Sequence, residues 1–340
     1  MSTPRAAVVT AAGERVLTFA QALNEALREE MARDSRVVLL GEDIGEYGGV
    51  FTVTRGLFAE FGRDRVIDTP ISEGGFVGAA LGLALTGYRP VVEIMFTDFV
   101  FVASDQLFNH VGKARYISGG QRTVPLVVRT QQGSSGGKAA QHSQSLEALF
   151  CHVPGWKVVA PSTPGDAKGL LQAAIRDDNP VAFLEHKALY FTKGVVPDGD
   201  SVVPLGKAWV ARPGDDVTLI SYSKAMELAL AAAEVLAAEE VQAEVIDLRT
   251  LKPLDLDTLL ASVRKTNRAV VVHEAHRVCG FGAELVAAIQ EAAFFELEAP
   301  IQRVAAQDAP IPYSRNLERA VLPQVEDVVA AAHRALDRKQ

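Results

Sequence analysis

The sequence predicts an α/β protein of two domains, the first built on a doubly wound parallel sheet. Three observations predict it. Short runs rich in branched apolar residues alternate with Ala- and Leu-rich stretches of helical period. The apolar runs lack the in–out alternation of a half-exposed sheet, as expected of strands covered by helices on both faces. The rhythm breaks once, at the Gly-, Pro- and Asp-rich segment 192–206, and then restarts.

In order along the chain, strands are predicted at 37–40, 89–96, 124–130, 156–161 and 180–186. Helices fall between them. The first, 19–32, has an apolar stripe and Thr18 as its N-cap. The second, 74–86, has small residues every few positions, which permits close packing. The third, 163–176, opens with Pro164 and places Asp166 in its first turn, where the helix dipole favours a negative charge. Segment 192–206 reads as a surface linker. Beyond it the reading gives a strand at 216–223, a helix at 224–239, a strand at 242–250, a helix from Asp257, a strand at 268–275 and a helix from Gly282. The expected organisation is an N-terminal arm (1–15), a first domain (16–191), the linker (192–206) and a second domain (207–340).

Composition narrows the function classes. Charged residues make up 22% of the 340 and hydrophobic residues 48%, a globular balance. The formal net charge is −8, which argues against nucleic acid as the main partner, since phosphate binding needs clustered Lys and Arg. No run of about 18 apolar residues occurs, so no membrane span is expected. The first residues lack the apolar core of a secretory signal. Cys151 and Cys279 read as buried thiols in a reducing compartment, and a cytoplasmic location is expected.

The familiar nucleotide motifs are missing. CGFGAEL (279–285) lacks the third glycine of a dinucleotide fingerprint, and no phosphate-cradling G-x-x-x-x-G-K-[ST] occurs. HEAH (273–276) spaces its histidines three apart, where the zinc-protease helix needs four, and reads as a strand-end pair. GSSGG (133–137) fits the nucleophile-elbow pattern around Ser135, but no helix follows it directly, so it reads as a flexible loop. Three other segments carry more. GEDIGEYGGVF (41–51) puts Glu42 and Asp43 directly after a buried strand, DTPISEGGFVGAALG (68–82) puts Glu73 at the start of a glycine-rich helix, and AAQHSQSLEALF (139–150) puts His142 in a loop after another strand. Ligand sites of open parallel sheets form outside the carboxyl ends of the strands, where all three are expected.

These segments also carry a resemblance. DTPISE with GGFVGAALGLALTGYRPVVEIMF (68–96), AAQHSQS (139–145), H-x-PG-x-KVV (152–159), DAKGLL (166–171), AIRDDNP (174–180), VIDLRTLKPLD (245–255), SVRKTNR (262–268) and EAPIQRV (298–304) resemble the β chain of the decarboxylating component of 2-oxo acid dehydrogenase complexes. That group includes the pyruvate, acetoin and branched-chain enzymes, and the likeness runs from about Val16 to the C-terminus. The resemblance implies a thiamine-diphosphate pyrimidine-binding domain followed by a transketolase C-terminal-like domain. It also implies an α chain that holds the diphosphate and magnesium through a G-D-G…N motif. No G-D-G occurs here, and the nearest string, DGD (198–200), lies in the linker. The chain is therefore expected to supply the pyrimidine half of the site within a heterotetramer of two α and two β chains.

Further implications follow residue by residue. Glu73 matches the glutamate that hydrogen-bonds a pyrimidine nitrogen and shuttles the activating proton, a task suited to a buried carboxyl with a raised pKa. Glu42 matches a second carboxylate near that ring, and Met95 and Phe99 match positions that pack around it. His142 matches a histidine facing the substrate and the incoming lipoyl group of the dihydrolipoyl acyltransferase. Leu126, Ala174, Ile175, Asp177 and Asn179 match positions that bind a structural monovalent cation, potassium. The acidic pair Glu326 and Asp327 is a candidate dock for the basic subunit-binding domain of the acyltransferase. The substrate, a 2-oxo acid such as pyruvate or a branched-chain acid, or else acetoin, stays open, because QQGSSGGKAA (131–140) differs from the pyruvate and branched-chain versions and 161–171 and 183–197 lean to the acetoin type. A transketolase-like carbon–carbon transfer enzyme and a non-catalytic scaffold subunit are the competing readings.

Overall fold

The computed structural model describes residues 8–9 and 14–336. Most of the expected N-terminal arm, 1–15, lies outside the described residues. The chain divides into two compact units. The first gathers the residues up to 131 with 153–156 and 163–205, and the second gathers 132–152, 157–162 and 206 onward. Segments 132–152 and 157–162, which lie within the expected 16–191 domain, thus cluster with the second unit.

In the first unit, strands Val66–Asp68, Val37–Gly41, Arg89–Ile94 and Val127–Gln132 lie side by side in that order, all parallel, with Val181–His186 beyond Val127–Gln132. The strands Val37–Gly41, Val127–Gln132 and Val181–His186 are buried along their whole length; the first is apolar throughout (VVLLG), while the other two also bury polar residues, among them Arg129 and Glu185. The predicted helices are present as Phe19–Arg33, Glu73–Leu85 and Pro164–Arg176. Thr18 forms a capping box, its hydroxyl accepting from the Gln21 amide at 3.2 Å while the Gln21 side chain accepts from the Thr18 amide at 2.9 Å. Helices Phe19–Arg33 and Pro164–Arg176 are tied by a buried lysine. Lys168 Nζ donates to Glu25 at 2.6 Å and to Glu29 at 3.0 Å. The segment 192–206 is more than a linker. Lys193–Val195 forms a strand antiparallel to Arg15–Thr18, and the following chain runs so close to the helix that a Cβ at Gly169 would sit 2.3 Å from Ser201 O. Three-residue strands such as this one and Val66–Asp68 are too short to leave a period in the sequence.

Three adjacent strands share a buried charge cluster. Arg129 donates to Glu93 on one side (2.7 Å) and to both oxygens of Glu185 on the other (2.7 and 2.8 Å). Glu93 also accepts from Gln131 at 2.9 Å, and Glu185 from the Tyr190 hydroxyl. Burial opposes the charge on Arg129, but Glu185 and Glu93 outweigh it and hold the guanidinium protonated.

The second unit carries a five-stranded sheet in the order Trp209–Arg212, Ala243–Asp247, Val217–Ser221, Ala269–His276, Gln302–Ala306, parallel except for the first strand. Alternate residues Val217, Leu219, Val245, Val270 and Val272 pack with helices Ala225–Ala238 and Val325–Leu336. On the other face Thr218 hydrogen-bonds Ser262 and Thr266 of helix Leu256–Thr266, both at 2.7 Å, which satisfies three buried hydroxyls. A short antiparallel pair, Lys157–Val159 with Thr250–Lys252, also lies in this unit but is no part of its five-stranded sheet. Among the described residues no helix is long and apolar enough to cross a membrane.

Arg129→Met tests the cluster. It would leave two carboxylates buried without their cation and is expected to cost about 3–5 kcal/mol of stability, read as a lowered denaturation midpoint. An unchanged midpoint would show that the cluster adds nothing to the fold.

Candidate functional site

The site grows from the carboxyl ends of the first unit's parallel strands. Strand Val37–Gly41 must end in glycine, because a Cβ there would lie 2.9 Å from Glu93 O. Asp43 then turns the chain with φ +54°, and its carbonyl accepts from Gly49 N at 2.9 Å. Between these two constraints stands Glu42. It is half-buried, and its Oε1 is buried without a hydrogen-bond partner. Burial first, then the charges of Glu73 and Asp43, push its carboxyl from the ordinary 4.5 up to about 7.

Glu73 is the first residue of helix Glu73–Leu85 and is 5% exposed. Its carboxylate stands in the first turn, where the helix dipole favours it. The glycines behind it do the packing foreseen: a Cβ at Gly78 would come within 3.2 Å of Gln106 Oε1. Glu42 and Glu73 are thus close enough to feel each other's charge. Met95 follows directly on strand Arg89–Ile94, and Phe99 lies in the single helical turn Thr97–Phe101, both half-buried.

The sequence reading missed a set of polar groups at the same strand ends. The hydroxyls of Thr69, Thr97 and Thr130 and Oε1 of Gln131 are buried with no partner. Their signal was position: each stands within three residues of a strand's end. Native interiors rarely leave so many polar atoms unpaired in one region, and a polar ligand would satisfy them. Aromatic packing also escaped notice. Phe51 stacks on Tyr190 at 4.4 Å between centroids and meets Phe96 edge-on at 6.0 Å, with Lys187 Nζ 5.0 Å from the Phe96 centroid.

His142 belongs to the second unit, on the stretch read as a flexible loop. That stretch is tied down. Glu274 accepts from the Ser134 amide at 2.6 Å, and Glu318 accepts from the Ser134 hydroxyl and from the amides of Gly136 (3.1 Å) and Gly137 (2.8 Å). Gly133 N bonds Gln144 O at 3.0 Å, closing the loop on itself, and the next helix begins only at Glu147. Ser135 therefore sits on no strand-to-helix elbow. His142 is half-buried, with its amide 3.4 Å from Ala139 O.

The remaining expected positions fall as follows. The Leu126 carbonyl accepts from Val181 N at 2.9 Å and that of Ala174 from Asp177 N at 3.3 Å. The carbonyls of Ile175 and Asp177 accept from Arg89 Nη1 at 3.0 and 3.1 Å. Asn179 donates to Asp177 Oδ1 and accepts from Arg115. Carbonyl oxygens are the donor type that hard cations take, and here two of them already accept from the Arg89 guanidinium. Asp327 accepts from Gln324 N at 2.9 Å at the start of helix Val325–Leu336, while Glu326 is exposed. Of the HEAH pair, His276 bonds Gln307 O at 2.8 Å and His273 is fully buried. Among the described residues no group of His, Cys, Asp or Glu could hold a metal ion; both cysteines are free, but Cys279 is exposed and Cys151 half-buried, where both were expected to be buried.

The fold is that of a two-domain chain of transketolase type, with the carboxyl pair Glu42 and Glu73 at the strand ends of its first unit. The family model for the transketolase pyrimidine binding domain matches residues 15–193, and that for the transketolase C-terminal domain matches 206–328. A rice mitochondrial pyruvate dehydrogenase E1 component subunit beta-2 is 47% identical over 337 residues, covering 98% of this chain and 90% of its own. The Cupriavidus necator acetoin:2,6-dichlorophenolindophenol oxidoreductase subunit beta is also 47% identical, with 95% and 98% covered. A split-gene transketolase, in an inactive β4 tetramer, shares the fold with a TM-score of 0.78 at 24% identity, covering 95% of this chain and 99% of that one. The chain belongs to the thiamine-diphosphate-dependent family of E1 β subunits of pyruvate and acetoin dehydrogenases. It is the β subunit of a 2-oxo acid dehydrogenase component, a role that implies an α partner.

The raised Glu42 carboxyl has a measurable sign. A group whose folded pKa, about 7, exceeds its ordinary 4.5 stabilises the fold fully below 4.5 and loses that stabilisation as pH rises to about 7. Glu42→Gln is therefore expected to match the native chain near pH 4.5 and to become progressively more stable than it up to about pH 7. Parallel melting curves for the two proteins across that window would show that Glu42 is not held protonated.

Proposed function

We propose that Glu73 and Glu42 together form the pyrimidine half of a thiamine-diphosphate site, with Glu73 holding a proton at a ring nitrogen. The observation that carries this is the pair itself: a carboxyl opening a helix beside a second one with a buried, unpartnered oxygen and a raised pKa. Thr69, Thr97, Thr130 and Gln131 offer the hydrogen-bonding atoms that the edges of an aminopyrimidine require. Met95 and Phe99 supply apolar faces for the ring. Bound thiamine diphosphate supplies the electron sink that allows a 2-oxo acid to lose CO₂.

In this reading the α chain holds the diphosphate and magnesium, and the assembly is two α and two β chains. The absence of a G-D-G string from this chain supports that division. His142 faces the substrate and lipoyl group, donating a proton or stabilising charge during acyl transfer to the acyltransferase. The acyltransferase's basic subunit-binding domain docks on the second unit, where Glu326 presents an exposed carboxylate. The substrate is pyruvate or acetoin, the compounds named in the relatives at 46–48% identity. Two free thiols support a reducing compartment, the cytoplasm. A potassium ion is held by carbonyls among Leu126, Ala174, Ile175, Asp177 and Asn179.

Two variants measured side by side test the roles. With the α partner present, Glu73→Gln is expected to lower turnover by about 10²–10⁴-fold in every assay while assembly is retained. His142→Ala is expected to spare decarboxylation measured with an artificial electron acceptor and to impair transfer to lipoyl. Full turnover in Glu73→Gln would remove the proton-holding role, and equal losses in both assays would remove the transfer role of His142. For the cation, the melting temperature of the assembled protein is expected to be higher in potassium chloride than in choline chloride of equal ionic strength. Equal values would leave the carbonyl cluster without an ion.

A further inference from the structure

The second unit contains a groove that the reaction does not use. It has a volume of about 600 Å³ and lies among strand Gln302–Ala306, helix Arg315–Val321 and helix Val325–Leu336. Arg277, Arg303, Arg319 and Arg334 line it, each from a different segment. Among the described residues none of the four is ion-paired with a carboxylate. Arg277 Nη1 donates to Arg303 O at 2.8 Å and Arg303 Nη1 to Arg277 O at 3.2 Å, so the two guanidiniums are braced against each other's backbone. Among the described residues Arg334 makes a neutral contact, with Gln302 Oε1 at 3.2 Å.

Four like charges facing one concavity repel one another, and the chain as a whole is acidic. Nearby carboxylates did not gather to neutralise them. The one acid lining the groove, Asp327, is engaged with the Gln324 amide. The field of the pair reaches the interior: His273 is pushed down to about 4 by its own burial and then by Arg303 and Arg277. The rim is shaped by fixed backbone, with Gln307 Nε2 bonded to Ala320 O and Gln324 Nε2 bonded to the carbonyls of Arg319, Leu322 and Pro323.

We propose that this groove binds a phosphorylated small molecule carrying several negative charges, gripped by Arg277, Arg303, Arg319 and Arg334. Guanidinium forks match phosphate oxygens in pairs, and convergence of four of them favours a polyphosphate over a single carboxylate. The volume suits a small ligand, and no aromatic side chain lines the groove as an anchor for a docked protein.

The test uses the full chain assembled with its α partner and saturated with thiamine diphosphate, so that the cofactor's own phosphate site is filled. Tripolyphosphate is titrated by calorimetry, with sulfate as the control anion. Tripolyphosphate is expected to bind more tightly than sulfate, with an affinity that falls as salt rises. The double variant R303Q/R319Q is expected to weaken it by about tenfold or more, while kcat without added anion stays unchanged. Absence of binding, equal affinity for sulfate, or unchanged affinity in the variant would each overturn the proposal. So would finding the four arginines shielded from a guanidine-directed reagent in the assembly, which would make the groove an interface with another protein.

Discussion

The first unit depends on one buried cation. Arg129 stands between Glu93 and Glu185 and so ties three neighbouring strands through their side chains as well as their backbones. Taking three charges out of water is expensive, and the attraction among them repays it only with good geometry and every remaining lone pair used. Here Gln131 and the Tyr190 hydroxyl take the outer oxygens. The consequence is positional. Glu93 lies two residues before Met95, Arg129 directly precedes Thr130, and Tyr190 carries the stacked ring of Phe51. The strand ends that form the site are thus registered by charge as well as by the hydrogen-bonded ladder.

Against that satisfied cluster, the neighbouring carboxyl pair stands out by being unsatisfied. Glu42 has no guanidinium, and its Oε1 meets no donor. The same sheet that pairs Glu93 completely leaves Glu42 with another acid, Glu73, as its strongest charged neighbour. A fold selected for stability alone would neutralise that position. A site that must hold and release a proton near neutral pH benefits from two carboxyls whose environments differ, one of them raised toward 7. The cost of the arrangement is carried by a scaffold in which the buried cations Arg129 and Lys168 are each paired with two carboxylates.

Much of this was legible in the sequence. The apolar runs marked most of the strands, Thr18 and Pro164 marked two helix starts, and Glu42 and Glu73 were singled out as carboxyls after a buried strand and at the start of a glycine-rich helix, with their roles supplied by the family resemblance. What stayed hidden has one physical character: it depends on side chains meeting across the sheet. Glu93 and Arg129 are opposite each other in register but 36 residues apart in sequence, and each alone reads as an anomaly in an apolar run. The glycine-rich loop before His142 read as flexible because composition cannot show that Glu318, 184 residues from Ser134, holds it. Segment 192–206 read as a linker because a three-residue edge strand leaves no period.

The loop's anchor also gives the second unit a mechanical unity. Helix Arg315–Val321 is only seven residues long, yet successive residues serve two places. Glu318 is buried and binds the amides of Gly136 and Gly137 in the loop that leads to His142, while Arg319 faces the arginine-lined groove. A short helix has little internal stability of its own, so its position is set by what its side chains grip. Charge placed against Arg319 therefore bears on the same element that fixes the histidine loop. Coupling between the two would follow only if the groove's ligand bound one position of that helix better than another, since a ligand of equal affinity shifts nothing. One small element thus carries both the anchor of the histidine loop and a side chain of the groove.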